Sequence, residues 1–194
     1  MAGRCSLVIA LSAIAFGAAD SVRDLNLNNF SYPFVEKYAI PSTVHWMPIA
    51  GKGSVVLKNG SHAFISGGCL DTPSGCPLLK LDSIHYGELD GMPLTSAVVV
   101  MTFHTGGTAT WRYVYIVGGI AGAPKVMAWL EAGSRADEGL RDVSIDRGDL
   151  KVTVNDPAKR QGDCCSSGTI TTRYRWQDGS FHQLGQPILS DDPR

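Results

Sequence analysis

The sequence predicts an all-β fold with room for one short helix, built as an antiparallel meander that forms a sandwich or strongly curved sheet and is stapled by disulfides. Three observations predict it. Leu94–His104 (LTSAVVVMTFH) is a near-continuous apolar run, the pattern of a strand buried on both faces. Ala109–Val117 (ATWRYVYIV) then alternates, placing Trp111, Tyr113, Tyr115 and Val117 on one face. The 22 glycines fall mostly between apolar runs, and the connections they mark are too short for a parallel crossover of about a dozen residues.

The elements follow in order. Arg4, the apolar run Leu7–Phe16 and the small residues Gly17-Ala18-Ala19 have the layout of a secretory signal peptide over residues 1–19, cleaved after Ala19. Ten apolar residues are too few to cross a bilayer core of about 30 Å as a helix. Cys5 precedes the apolar run, where a lipid-anchoring cysteine would follow it, so a lipid anchor is not expected. Residues 20–194 then form a single β-rich domain. Asp20–Asn29 is a polar lead-in with at most one helical turn, and the aromatic Phe30–Phe34 inserts at the core edge, where Pro33 confines it. Ser54–Lys58 and Ser61–Ile65 flank Asn59-Gly60, a two-residue hairpin turn. Leu78–Tyr86 leads through Gly87–Pro93 into the meander, whose third strand, Lys125–Glu131, follows a break at Gly118–Gly122. Ser134–Gly139 is a polar connection. Leu140–Asp146 and Asp149–Asn155 pair around Arg147-Gly148. Asp156–Gly168 is irregular. Thr169–Trp176 turns at Asp178-Gly179 into Phe181–Leu184, and the tail from Pro187 frays.

Hydrophobic content of 44% and charged content of 18% describe a chain that buries a sizeable core. The formal charge of −1 and the lack of a basic cluster give no electrostatic footprint for nucleic acid. Removal of residues 1–19 leaves four cysteines, Cys69, Cys76, Cys164 and Cys165, an even number suited to disulfides in an exported chain. Local pairing, Cys69 with Cys76 and Cys164 with Cys165, needs no tertiary proximity. The two crossed pairings avoid a bridge between neighbours and would close longer loops. Either way the expected role is structural, since no CxxC is present.

The most specific segments are Asp163-Cys164-Cys165-Ser166-Ser167 and Thr172-Arg173-Tyr174-Arg175-Trp176, followed by Asp178-Gly179 and preceded by Tyr86-Gly87-Glu88-Leu89-Asp90-Gly91. Their order resembles a group of small exported bacterial proteins that includes the mycobacterial LppP/LprE-type lipoproteins, over roughly Phe30–Leu184. The resemblance implies a β fold and an exported, periplasmic or extracellular address. It implies no activity. Because the lipidation cysteine is missing, it implies a soluble product.

Candidate sites are few. Glu88 and Asp90 lie on a turn that looks like a worn calcium loop, but calcium takes six to eight oxygens, and a plain acidic turn is expected instead. The histidines His45, His62, His85, His104 and His182 show no metal-ligand spacing, so no metal or other cofactor is expected. Trp111, Tyr113, Tyr115 and Trp129 could form an exposed ligand platform, although alternating aromatics at strand spacing normally pack inward. The expected function is therefore an exported, non-catalytic β domain with a binding or envelope-associated role, its partner an envelope component or small ligand. The alternative is a small secreted hydrolase whose site is assembled from distant residues. A histidine, a carboxylate and a nucleophile in mutual hydrogen-bond reach would favour the latter.

Overall fold

The structure, a computed structural model, describes residues 22–34, 44–47, 49, 53–64, 75–92, 95–107, 109–120 and 123–191. The predicted signal peptide, Cys69 and most of the loop around it lie outside the described residues. Twelve strands are present among the described residues: β1 (Ser31–Phe34), β2 (His45–Met47), β3 (Gly53–Val56), β4 (Ser61–Ala63), β5 (Leu78–Gly87), β6 (Ser96–His104), β7 (Thr110–Ile120), β8 (Ala123–Ala132), β9 (Leu140–Asp146), β10 (Asp149–Asn155), β11 (Gly168–Gln177) and β12 (Ser180–Asp191). Helical structure among the described residues is confined to three-residue 3-10 turns at Val22–Asp24, Leu27–Asn29 and Pro157–Lys159. The fold is an antiparallel β sandwich, as predicted.

The strands form three sheets in three layers. A six-stranded sheet, ordered β2-β8-β7-β6-β5-β4, lies in the middle. The β1–β3 pair and the first two 3-10 turns cover one face, and a four-stranded sheet ordered β12-β11-β10-β9 covers the other. The predicted double burial of the Val-rich run is what makes this arrangement necessary. Along β6, Ala97, Val99, Met101 and Phe103 enter the first core, whereas Val98 and Val100 enter the second. Both parities are apolar, so both faces need a lid. Across β7 the first core receives Trp111, Tyr113, Tyr115 and Val117, and the second receives Val114 and Ile116. Cross-strand pairs Phe103–Trp111, Met101–Tyr113, Val99–Tyr115 and Tyr115–Trp129 lock the register.

Two turns follow directly from local sterics. Arg147-Gly148 joins β9 to β10 with φ of 53° and 81°, and Asp178-Gly179 joins β11 to β12 with φ of 50° and 82°. Two successive positive φ values make a type I′ turn, whose twist matches that of the strands it joins.

Three expectations need correction. Asn59-Gly60 is the predicted turn, with φ of 51° and 80°, but its arms enter different sheets: β3 pairs with β1, and β4 pairs with β5. Only the Lys58–Ser61 bridge closes the turn, because its amides are taken from outside. Gly60 N donates to the Asn28 carbonyl at 2.8 Å, and Asn59 N donates to Asn29 Oδ1 at 3.0 Å. Gly118 and Gly119 do not break the meander. They pair with Lys125 and Pro124, and Met127, Ser96 and Met92 close over the space a Gly118 side chain would occupy. The tail does not fray at Pro187, since β12 pairs with β11 as far as Asp191. A register shift between Thr171 and Arg173, opposite Gly185 at φ 66°, carries the strand past a proline that has no N–H to donate. The polar connection Ser134–Gly139 is present and is tied by Gly133 N to Glu138 O and Gly139 N to Arg135 O.

Candidate functional site

The residues nominated from sequence do not assemble into one site. Trp111, Tyr113, Tyr115 and Trp129 are at most 4% exposed, so the platform reading is corrected: their rings fill the first core. Tyr115 and Trp129 stack with centroids 5.5 Å apart, and the Tyr115 hydroxyl donates to the Pro33 carbonyl at 2.9 Å. Burial pushes the Tyr115 phenol well above its usual pKa, with Tyr113, Tyr32 and Glu131 adding to the effect. Glu88 and Asp90 are exposed on a turn whose buried Leu89 inserts into the second core, and Asp90 lies 3.8 Å from Arg175. Among the described residues, no group of three or more His, Cys, Asp and Glu side chains could hold a metal ion.

Cys164 and Cys165 are joined to each other and exposed, which overturns the crossed pairings. Adjacent cysteines need no tertiary approach, whereas a crossed bridge requires two distant segments to meet. Cys76 is also disulfide-bonded, and its partner lies outside the described residues. Two histidines meet serines: Ser83 Oγ lies 3.0 Å from His85 Nε2, and Ser180 Oγ lies 2.9 Å from His182 Nε2. Neither imidazole is hydrogen-bonded to a carboxylate among the described residues, so neither pair has the orienting third group of a hydrolytic triad.

Sequence reasoning missed the cleft that opens where the starts of β7 and β9 meet the 133–139 loop. Alternation along β7 explains its first component. Val114 and Ile116 face the four-stranded sheet, so Arg112 faces the same way but emerges where that sheet ends. Its Nη1 donates to the Leu140 carbonyl at the start of β9, 3.0 Å away, and it has no ion-pair partner among the described residues. Arg141, next along β9, lines the same cleft. The third arginine comes from the 133–139 loop. Gly133 N donates to Glu138 O at 3.0 Å and Gly139 N to Arg135 O at 3.1 Å, with Arg135 and Glu138 held at φ of 52° and 55°. Such left-handed geometry in non-glycine residues persists where the surroundings enforce it.

Three ties do so here. Asn155 Nδ2 donates to the Arg135 carbonyl, Arg160 Nη1 contacts Asp137 Oδ1 at 2.9 Å, and Val44 N donates to Glu138 Oε2 at 2.6 Å. Burial pushes the Glu138 carboxyl up from its ordinary pKa, and the Val44 amide opposes that shift.

The resulting chamber, of about 350 Å³, is lined by Arg112, Arg135 and Arg141 with Thr110 and Asn155, and no carboxylate lines it. Asn155 is 7% exposed, and its Oδ1 is buried with no hydrogen-bond partner. The bond from Nδ2 to the Arg135 carbonyl fixes which end of the amide faces which way. An orphaned buried acceptor costs about 1–3 kcal/mol. Three arginines lining one chamber suit carboxylate or phosphate, which arginine binds through paired N–H donors. One sequence signal was present: Arg112 is the sole charged residue in β7.

A second cavity, of about 480 Å³, lies beside Trp46, Trp176 and Phe181. There Trp46 and Phe181 stack on each other at 4.4 Å, so their facing surfaces are already used. No family model matches the chain, and no curated protein or solved structure matches it either.

Proposed function

We propose that this chain is an exported, non-catalytic β module that binds an anionic ligand in the cleft between its sheets, as part of a binding or envelope-associated role. The observation that supports the reading most is the convergence of Arg112, Arg135 and Arg141 on one chamber without a lining carboxylate. The layout of residues 1–19 supports export, and so does the resemblance to LppP/LprE-type proteins. The alternative of a secreted hydrolase draws on the Ser83–His85 contact, but the imidazole lacks a carboxylate to orient it, so binding is preferred.

Thermal melts of the purified protein at low ionic strength, with acetate or inorganic phosphate added, test the binding reading. A ligand that binds only the native state at 100 times its Kd adds about 2.7 kcal/mol, or roughly 5–10 °C for a chain of this size. Arg112→Gln should abolish the shift. A protein whose melting is unchanged by either anion, or an Arg112→Gln variant that responds like the parent, would count against the proposal. Export has its own test: mass spectrometry of protein recovered outside the cytoplasm should find Asp20, or a residue within a few positions of it, at the N-terminus.

A further inference from the structure

A second lobe of about 220 Å³ adjoins the arginine chamber, with Arg112, Leu140 and Arg141 lining both. The chemistry changes there. Asp82, Ser83, His85 and Asp142 join the two arginines on the wall. Asp82 accepts the Thr102 hydroxyl through Oδ2, which leaves Oδ1, and Asp142 has no partner among the described residues. Ionised carboxylates only accept hydrogen bonds. The two adjoining spaces therefore offer arginines without a carboxylate on one side and arginines beside carboxylate acceptors on the other.

From this we infer that the cleft binds a hydroxylated acid, namely a sugar carboxylate or sugar phosphate, with its anionic group on the arginines and its hydroxyls on Asp142 and Asp82. The inference rests on the anion-binding reading proposed above and names the class of ligand. Hydroxyl groups fit better than an ammonium group for an electrostatic reason. A cation in the second lobe would sit beside Arg112 and Arg141, which line it too, whereas a neutral hydroxyl supplies the donor without that repulsion. The Ser83–His85 pair can donate or accept as the ligand requires.

The two aspartates make a test of opposite signs possible. If they only depress the local potential, Asp142→Asn strengthens binding of every anion. If they hold hydroxyls, it weakens binding of hydroxylated anions and leaves simple ones equal or tighter. Isothermal titration of the purified protein compares glucuronate with acetate, and glucose 6-phosphate with inorganic phosphate, with glucose as the uncharged control. The expected result is at least tenfold tighter binding of one hydroxylated acid than of its plain counterpart, with no binding of glucose. The arm in which this occurs identifies carboxylate or phosphate as the head group. Asp142→Asn should cost that ligand at least fivefold without weakening the plain anion, and Ser83→Ala should act in the same direction. Equal affinity for hydroxylated and plain anions overturns the inference while leaving anion binding intact, as does an Asp142→Asn variant that shifts both classes alike. Failure of all four anions to bind overturns the underlying reading as well.

Discussion

Replacing Asp149 by Asn removes a charge from a site the four-stranded sheet is built around. The Asp149 side chain, at the start of β10, is 5% exposed. Its Oδ1 accepts from Arg175 Nε at 2.7 Å and its Oδ2 from Arg173 Nη2 at 3.0 Å, both from the neighbouring β11. The Arg175 hydrogen bond, with help from Arg173, holds the carboxyl below its ordinary pKa even though burial acts the other way. Asn keeps the shape and one acceptor but turns an amide N–H₂ toward a guanidinium. Hydrogen bonds to charged groups contribute about 1.5–3 kcal/mol each. The two arginines are 36% and 38% exposed, so water rehydrates them and solvent screening reduces the loss. A net cost of about 2 kcal/mol remains, or a fall in Tm of roughly 4–8 °C. The pH dependence follows from linkage. A carboxyl depressed in the folded state contributes stability above its unfolded pKa, near 3.9, and loses it as pH falls through the folded value. Melts followed by circular dichroism from pH 7 to pH 2 should therefore show the full gap between parent and variant at neutral pH, closing below about pH 4. A gap under 1 °C at pH 7, or one that persists unchanged at pH 2, would refute the charge-pair account.

Other perturbations probe the remaining layers. Trp129→Ala empties the fully buried stacking partner of Tyr115 and should cost about 3–5 kcal/mol in equilibrium urea unfolding; a loss below 1 kcal/mol would mean that the first core collapses around the gap. Gly91→Ala combines φ of 83° with a Cβ placed against the Trp176 carbonyl, so the turn carrying Leu89 should lift and Tm should fall by more than about 4 °C. The double variant Cys164→Ser/Cys165→Ser should lower Tm by less than about 3 °C, since a bridge between neighbours closes no chain loop in the unfolded state. A larger fall would show that the bridge braces the whole 156–168 segment.

Some of this architecture is legible without coordinates because its causes are local. A strand such as Ser96–His104, apolar at both parities, has to be covered twice, and that alone places it in a middle layer. Arg147-Gly148 and Asp178-Gly179 determine their hairpins because the φ values they adopt depend on backbone sterics within two residues. Adjacent cysteines can bridge without any help from the fold. The sheet membership of β3 and β4 is different. Asn59-Gly60 specifies a turn, yet Asn28, Asn29 and the strands β1 and β5 compete for the backbone on either side, and only the assembled layers decide that competition. The cleft is the extreme case. Arg112, Arg135, Arg141 and Asn155 share no spacing or motif, because they are brought together by the ends of strands in two sheets and one tied loop. Strand order and register carry that information, and they are set by the sum of long-range pairings across the sandwich, which no window of sequence contains.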